Sequence, residues 1–225
     1  MSKLSLKTQR TYPDQESLCP DNTVFIILSL EGPDSYSLAG GLGVRVSRLS
    51  EALSRQGYET HHFFIGDPWL EGCSVSSDKN LHLYRWCQWI SRYHPYGVYD
   101  GEEGKRNDFT ASVPEYVVDT IARPIVAMGR QVVLMAEEWH TVEALCRISD
   151  LLAHKGISDK VHLLWNANNT YSFDRINWPR LDQSSTITTV SHYMRQLMKP
   201  YGVEPLVTHK LFPKLKRLTW EQSLA

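Results

Sequence analysis

The stretch TVFIILSLEGPDSYSLAGGLGVRVSRLSEALSRQGYETHHFFIGD, Thr23 to Asp67, decides the fold. It opens on an apolar run, Val24 to Leu28 with Leu30 beyond, whose length and β-branched content suit a buried strand. A turn-rich loop, Glu31-Gly-Pro-Asp-Ser-Tyr, leads to Ala39-Gly40-Gly41-Leu42-Gly43. Leu42, Val46, Leu49 and Leu53 then recur at the spacing of one helix face. Arg45, Arg48, Glu51 and Arg55 lie off that stripe, and Gly57 is placed to end the helix in a left-handed cap. Thr60 to Ile65 closes the unit as a second strand. A helix between two strands implies a crossover, and a crossover implies parallel pairing.

The rest of the chain repeats that alternation. Pro68 to Lys79 reads as loop, and Leu81 to Phe109 carries Tyr84, Trp86, Trp89, Tyr93, Tyr96 and Tyr99. Flat aromatic faces stack on sugar rings and carboxylates hold hydroxyls, so this stretch could line an acceptor surface. For Trp86 and Trp89 burial beside the sheet is the preferred reading, since large aromatics are mostly interior. Ser112-Val-Pro-Glu115 has the form of a capping box and predicts a helix start there, running to about Met128 and stopped by Gly129. Gln131 to Ala136 is the next strand, followed by Glu137-Glu138-Trp139-His140 and a helix capped by Thr141 that ends before Gly156. Lys160 to Trp165 is a further strand, ending in Asn166-Ala-Asn168-Asn169. After a polar connection come a strand over Thr186 to Val190, a helix capped by Ser191, and a last short strand over Glu204 to Val207. The pattern is that of an α/β protein with one Rossmann-like, doubly wound parallel sheet. The expected division is an arm over 1–22, a domain over 23–207 and a basic tail over 208–225 carrying Lys210, Lys214, Lys216 and Arg217.

Composition narrows the function. At 225 residues and 42% hydrophobic content the chain can bury one substantial core. A net charge of −1 gives no reason to expect nucleic acid or an anionic membrane as partner. Cys19, Cys73, Cys87 and Cys146 are too scattered to suggest a disulfide framework or a zinc site, so no metal is expected. No run reaches the ~20 apolar residues of a membrane span, and the first residues lack a signal-peptide core. A cytoplasmic protein is the expectation.

In doubly wound sheets ligands bind beyond the carboxyl ends of the strands. The polar groups fall there: the Gly40-Gly41 loop, Asp67, Glu137 to His140, Asn166 to Asn169, and Ser191. Gly40, Gly41 and Gly43 would let backbone approach a phosphate at a helix start. Their spacing is neither the dinucleotide fingerprint nor a P-loop, and by itself leaves a plain tight turn as the alternative. A nicotinamide enzyme is disfavoured for that reason, and for want of a Tyr-x-x-x-Lys pair. His61 and His62, inside a strand, read as structural; for Asp174-Arg175 a surface ion pair is preferred.

The wording of A-G-G-L-G followed by R-L-S-E-A-L-S-R-Q-G-Y-E-T resembles the opening of GT-B glycosyltransferases of the glycogen- and starch-synthase-like group. Glu138-Trp139-His140 resembles that group's D-W-H segment, Asn166-Ala-Asn168-Asn169 stands in place of its T-x-H-N, and Thr188-Thr-Val-Ser191 matches its T-T-V-S. The group's lysine two residues before the paired glycines is Leu38 here. The resemblance covers about 23–207, the first of two domains, so it implies the acceptor-side half of a retaining, metal-independent hexosyltransferase. It implies His140 as catalytic donor to a sugar hydroxyl or to charge at the anomeric centre. Donor phosphates of a UDP- or ADP-hexose would face Gly40, Gly41 and Gly43. Glu138, Trp139, Asn166, Asn168, Asn169 and Ser191 would line the substrate cleft. No cofactor beyond the nucleotide-sugar is implied. The donor site would come from a separate polypeptide or oligomer partner, and a non-catalytic sugar-binding or regulatory module is the alternative.

Overall fold

In the computed structural model, which describes residues 18–208, the opening unit takes the expected form. The first strand, β1 (Thr23–Leu28), is buried at every position, and α1 (Gly41–Arg55) returns the chain to β2 (Thr60–Ile65), which pairs parallel with β1. Gly57 sits at φ +86° just past the helix, where a side chain would be strained. The expected arm before residue 18 and the basic tail after residue 208 lie outside the described residues.

The stretch read as loop after β2 contains β3 (Cys73–Val75), an edge strand antiparallel to β4 (Leu81–Trp86). A one-turn helix α2 (Gln88–Ser91) follows, then α3 (Glu102–Tyr116), a π-helical segment Val117–Ala122, and α4 (Arg123–Ala127). The expected helix start at Ser112 is therefore wrong by ten residues, nearly three turns. Ser112 lies inside α3, its hydroxyl donating to Asp108 O and accepting from Trp86 Nε1. Pro114, read as a first-turn residue, lies mid-helix, and its missing N–H leaves the Thr110 carbonyl without the usual donor. Arg147 Nη1 supplies one at 3.1 Å.

Beyond Gly129 come β5 (Gln131–Glu137), α5 (Val142–Lys155), β6 (Val161–Ala167), α6 (Trp178–Ser184), β7 (Thr186–Thr189), α7 (His192–Met198) and β8 (Leu206–Val207). The polar connection before β7 thus holds a helix, capped by Asn177, which accepts from Arg180 N. Thr141 precedes α5 but does not cap it; its hydroxyl donates back to the carbonyls of Glu137 and Glu138. The eight strands form one sheet in the order β3-β4-β2-β1-β5-β6-β7-β8, parallel except for β3.

Strands added leftward from β1 and rightward from β5 demand crossovers on opposite faces, since each is right-handed. On one face α1 packs Val46 and Leu53 against Phe25, Ile27, Val133 and Met135. On the other, α3, α5, α6 and α7 cover Val24, Ile26, Leu28, Leu134 and Trp165. The strand order reverses between β1 and β5, which opens a crevice at their carboxyl ends. Among the described residues no helix is long and apolar enough to cross a membrane.

Candidate active site

Beyond β1 the chain stays buried through Leu30 to Glu31, which is 4% exposed. Glu31 Oε2 accepts from the backbone N–H of Gly40 at 2.9 Å and of Gly43 at 2.8 Å. Its Oε1 accepts from Tyr99 Oη at 2.5 Å. Two of the three amides expected to be open to a phosphate, those of Gly40 and Gly43, are therefore filled by the chain's own carboxylate. The cause is the same field: a helix start attracts the nearest anion, and Glu31 is tethered beside it. Gly43 is bare because a Cβ there would come within 2.9 Å of Glu31 Oε2, while one at Gly41 would meet nothing within 4 Å. Burial and the adjoining Glu31 charge both push the Tyr99 phenol up.

At the end of β5, Glu137 is fully buried between Arg45 Nη1, 2.5 Å from its Oε1, and the amides of Asn166 and Asn168, each 3.0 Å from its Oε2. Glu138 follows at φ 67°, ψ 169°, a region nearly closed to residues with side chains. Its neighbours hold it there. Glu138 N donates to Asn166 O, Trp165 Nε1 donates to Glu138 O, and Asn168 N donates to Glu138 Oε1 at 2.7 Å. Burial raises its carboxyl from 4.5 to about 7, against the hydrogen bonds from Asn168 and with the help of the Glu137 charge. A carboxyl near that value exchanges its proton at neutral pH and can serve as acid or base.

His140 is 6% exposed, with Nε2 at 2.7 Å from Oε1 of Glu102, a residue in the first turn of α3. A carboxylate only accepts, so the network assigns the ring proton to Nε2. Nδ1, buried and without a hydrogen-bond partner, is then a lone-pair acceptor. Burial lowers the His140 pKa and Glu102 opposes it. The N–H expected to serve a sugar is thus committed to Glu102, and the other ring nitrogen carries a lone pair. The Tyr99 ring lies 5.8 Å from the imidazole, so Tyr99 and Glu31 link His140 to the glycine loop.

The other expected substrate contacts divide. Asn166 is 1% exposed, its amide spent on Glu137, Asn168 and Thr188 Oγ1, so it positions neighbours instead of facing a ligand. Trp139 is 6% exposed, with the Arg175 guanidinium 4.3 Å and the Arg106 guanidinium 5.5 Å from its ring, which closes it to a sugar. That stacking, not an ion pair with Asp174, is where Arg175 goes. Asn169 Oδ1 accepts from Tyr171 N, and Ser191 Oγ accepts from Met194 N as the cap of α7.

A cavity of about 550 Å³ opens beside the glycine loop, over the carboxyl ends of β1, β2 and β4. Its walls include Leu38, Asp67, Trp69, Tyr96, Tyr99 and Asp100. Trp69 is 78% and Tyr96 93% exposed, so their faces are available for stacking. Trp86 is packed on the core as read, whereas Trp89 is 63% exposed, contrary to expectation. Behind the cavity Lys105, wholly buried, donates to Tyr36 Oη at 2.6 Å and Gly97 O at 2.9 Å, which pins the loop carrying Tyr96 and Tyr99. Burial brings its ammonium down to about 8.

Glu31, Glu102 and Lys105 are the site residues that sequence reasoning missed; Tyr99 belongs to the aromatic stretch read as an acceptor surface and lines the cavity. Each of the three has one partner far along the chain, Tyr99 for Glu31, His140 for Glu102 and Tyr36 for Lys105, which no local spacing marks.

No family model matches the chain, and no curated protein does. Among solved structures it is similar to the catalytic domain of starch synthase IV from Arabidopsis thaliana bound to ADP and acarbose. The TM-score is 0.47 at 15% identity, covering 66% of this chain and 34% of that one, so this chain spans about a third of that length.

Proposed function

We propose that this chain is the acceptor-side domain of a GT-B-type glycosyltransferase, holding a carbohydrate for a hexose delivered from a UDP- or ADP-sugar. The observation that carries this reading is the cavity walled by Trp69, Tyr96, Tyr99, Asp67 and Asp100 at the strand carboxyl ends. Aromatic faces with carboxylates between them suit sugar rings with their hydroxyls, and the volume falls within the usual range for small-ligand sites. Tyr99, a wall of the cavity, lies 5.8 Å from the buried His140 ring and so links the cavity to the His140–Glu102 pair. The nucleotide-sugar would be held chiefly by a second domain or a partner polypeptide.

A linear glucose oligosaccharide titrated into the chain should quench tryptophan fluorescence saturably, and Trp69→Ala should abolish the quenching. A chain that binds no oligosaccharide even at tens of millimolar, about the weak end of useful affinity, overturns the reading. ADP-glucose or UDP-glucose should show no micromolar binding to this chain alone. A second reading, a sugar-binding module without transfer activity, is favoured by Glu31 occupying the Gly40 and Gly43 amides. Transfer activity on adding a donor domain in trans separates the two.

A further inference from the structure

At the opposite rim of the sheet, where β2 and β4 begin, Glu59, His61 and His82 each offer one ligand atom, all within 4.8 Å of one another. We propose that these three residues bind a divalent transition-metal ion such as Zn²⁺, unrelated to the sugar site. The register brings the histidines together: β2 pairs parallel with β4, His61 opposite His82, and their rings stack at 4.6 Å. His61 Nε2 lies 3.1 Å from Glu59 Oε1. Two ligands on a tetrahedral ion with bonds near 2.0 Å sit about 3.3 Å apart, so this pair already has the required bite. His82 is half-buried and closes the remaining distance by rotating its ring.

The surrounding residues support each ligand as a metal site requires. Tyr84 Oη is 3.0 Å from His61 Nδ1: in the metal-free chain Nε2–H donates to Glu59 Oε1, and when an ion takes the place of that proton the ring carries its hydrogen on Nδ1, which the Tyr84 hydroxyl accepts. Arg130 Nη1 donates to Glu59 Oε2 at 2.6 Å, which leaves Oε1 as a single donor atom toward the histidines. Two imidazoles and one carboxylate are the donor set of borderline divalent ions, with water completing the shell on the exposed side. The ion would tie the start of β2 to β4, one strand in from the sheet edge.

Chain stripped with EDTA and titrated with ZnCl₂ near neutral pH should bind one ion with micromolar or tighter affinity, and its Tm should rise. Tyr84→Phe, which keeps the stacking on Phe63 (ring centroids 4.3 Å apart), should weaken binding about tenfold. His82→Ala should lose it. Co²⁺ should give the intense visible band of a four-coordinate ion. The proposal is overturned by any of three results: no stoichiometric Zn²⁺ uptake, undiminished uptake by folded His82→Ala, or only the weak spectrum of octahedral Co²⁺.

Discussion

Glu138 combines a side chain in near-forbidden backbone space with a carboxyl raised to about 7. The folded chain holds its proton at pH values where the unfolded chain, with the ordinary value of 4.5, has released it. Stability is therefore unaffected below 4.5, falls as pH rises toward 7, and then carries a penalty of about 3 kcal/mol at 1.36 kcal/mol per unit. Glu138→Gln keeps an acceptor for Asn168 N and removes the ionisation, so its urea midpoint should match the parent at pH 4 and exceed it at pH 8. Equal midpoints at both pH values would refute the assignment. Glu31 makes the opposite case. Its loss leaves the Gly40 and Gly43 amides and the Tyr99 hydroxyl without their acceptor, at about 1–3 kcal/mol for each group that stays buried. Glu31→Ala should therefore melt lower than the parent and should regain stability in phosphate, which enters the vacated nest; the parent should not respond. The residues quoted from the glycine loop and from Glu137 to His140 do converge on the β1 and β5 ends. What stayed hidden was their pairing. Nothing in the turn-rich wording around Glu31 shows that its carboxylate reaches Gly43, nor does a helix-starting Glu102 advertise His140.

Elements were legible where one physical signal stood alone. β1, α1 and β2 show an unbroken apolar run, a clean helical stripe and a terminal glycine. α3 was misplaced because its buried positions include Lys105 along with Phe109 and Val113, so the stripe is interrupted by a charge whose partners lie in another loop. The Ser112-to-Glu115 pattern then supplied a false start. β3 has three residues and an exposed edge, too short for alternation to register. The same helix supplies a test of how tertiary contacts rescue a broken ladder. Pro114 removes the donor to Thr110 O, and Arg147 replaces it from α5. Arg147→Ala should cost about 1–2 kcal/mol through the orphaned carbonyl. Pro114→Ala restores the N–H, so in that background Arg147→Ala should cost much less. A double-mutant cycle by urea denaturation measures the difference, and strictly additive costs would show that Arg147 does not compensate for the proline.

Across the whole molecule the two rims of the sheet and its buried centre titrate in different senses, which sets how the fold responds to acid. His62, fully buried on the β1–β2 seam, is 2.9 Å from Ser29 Oγ. Ser29 gives its one proton to Glu31 O at 2.6 Å, so it accepts from His62 Nε2–H, and the buried Nδ1 has no partner. Desolvation takes the imidazole from 6.5 down to about 3. The unfolded chain thus binds a proton below 6.5 that the folded chain refuses, and stability drops by up to 1.36 kcal/mol for each pH unit. Glu138 opposes this between 7 and 4.5, where lowering the pH relieves its penalty. Below 4.5 that relief is exhausted. Glu59, held down to about 2 by His61 and Arg130, then begins to lose its own smaller contribution, since it is half-exposed. His82, His140 and His162, whose values burial also lowers, add to the loss, so the parent's urea midpoint should decline as pH drops from 7 to 4.5, softened by Glu138, and fall more steeply beneath it. His62→Gln keeps a donor for Ser29 and cannot ionise, so its midpoint should fall less than the parent's as pH drops from 7 to 4.5 and less again thereafter. Parallel acid limbs for parent and variant would mean that His62 accepts its proton without unfolding the sheet around it.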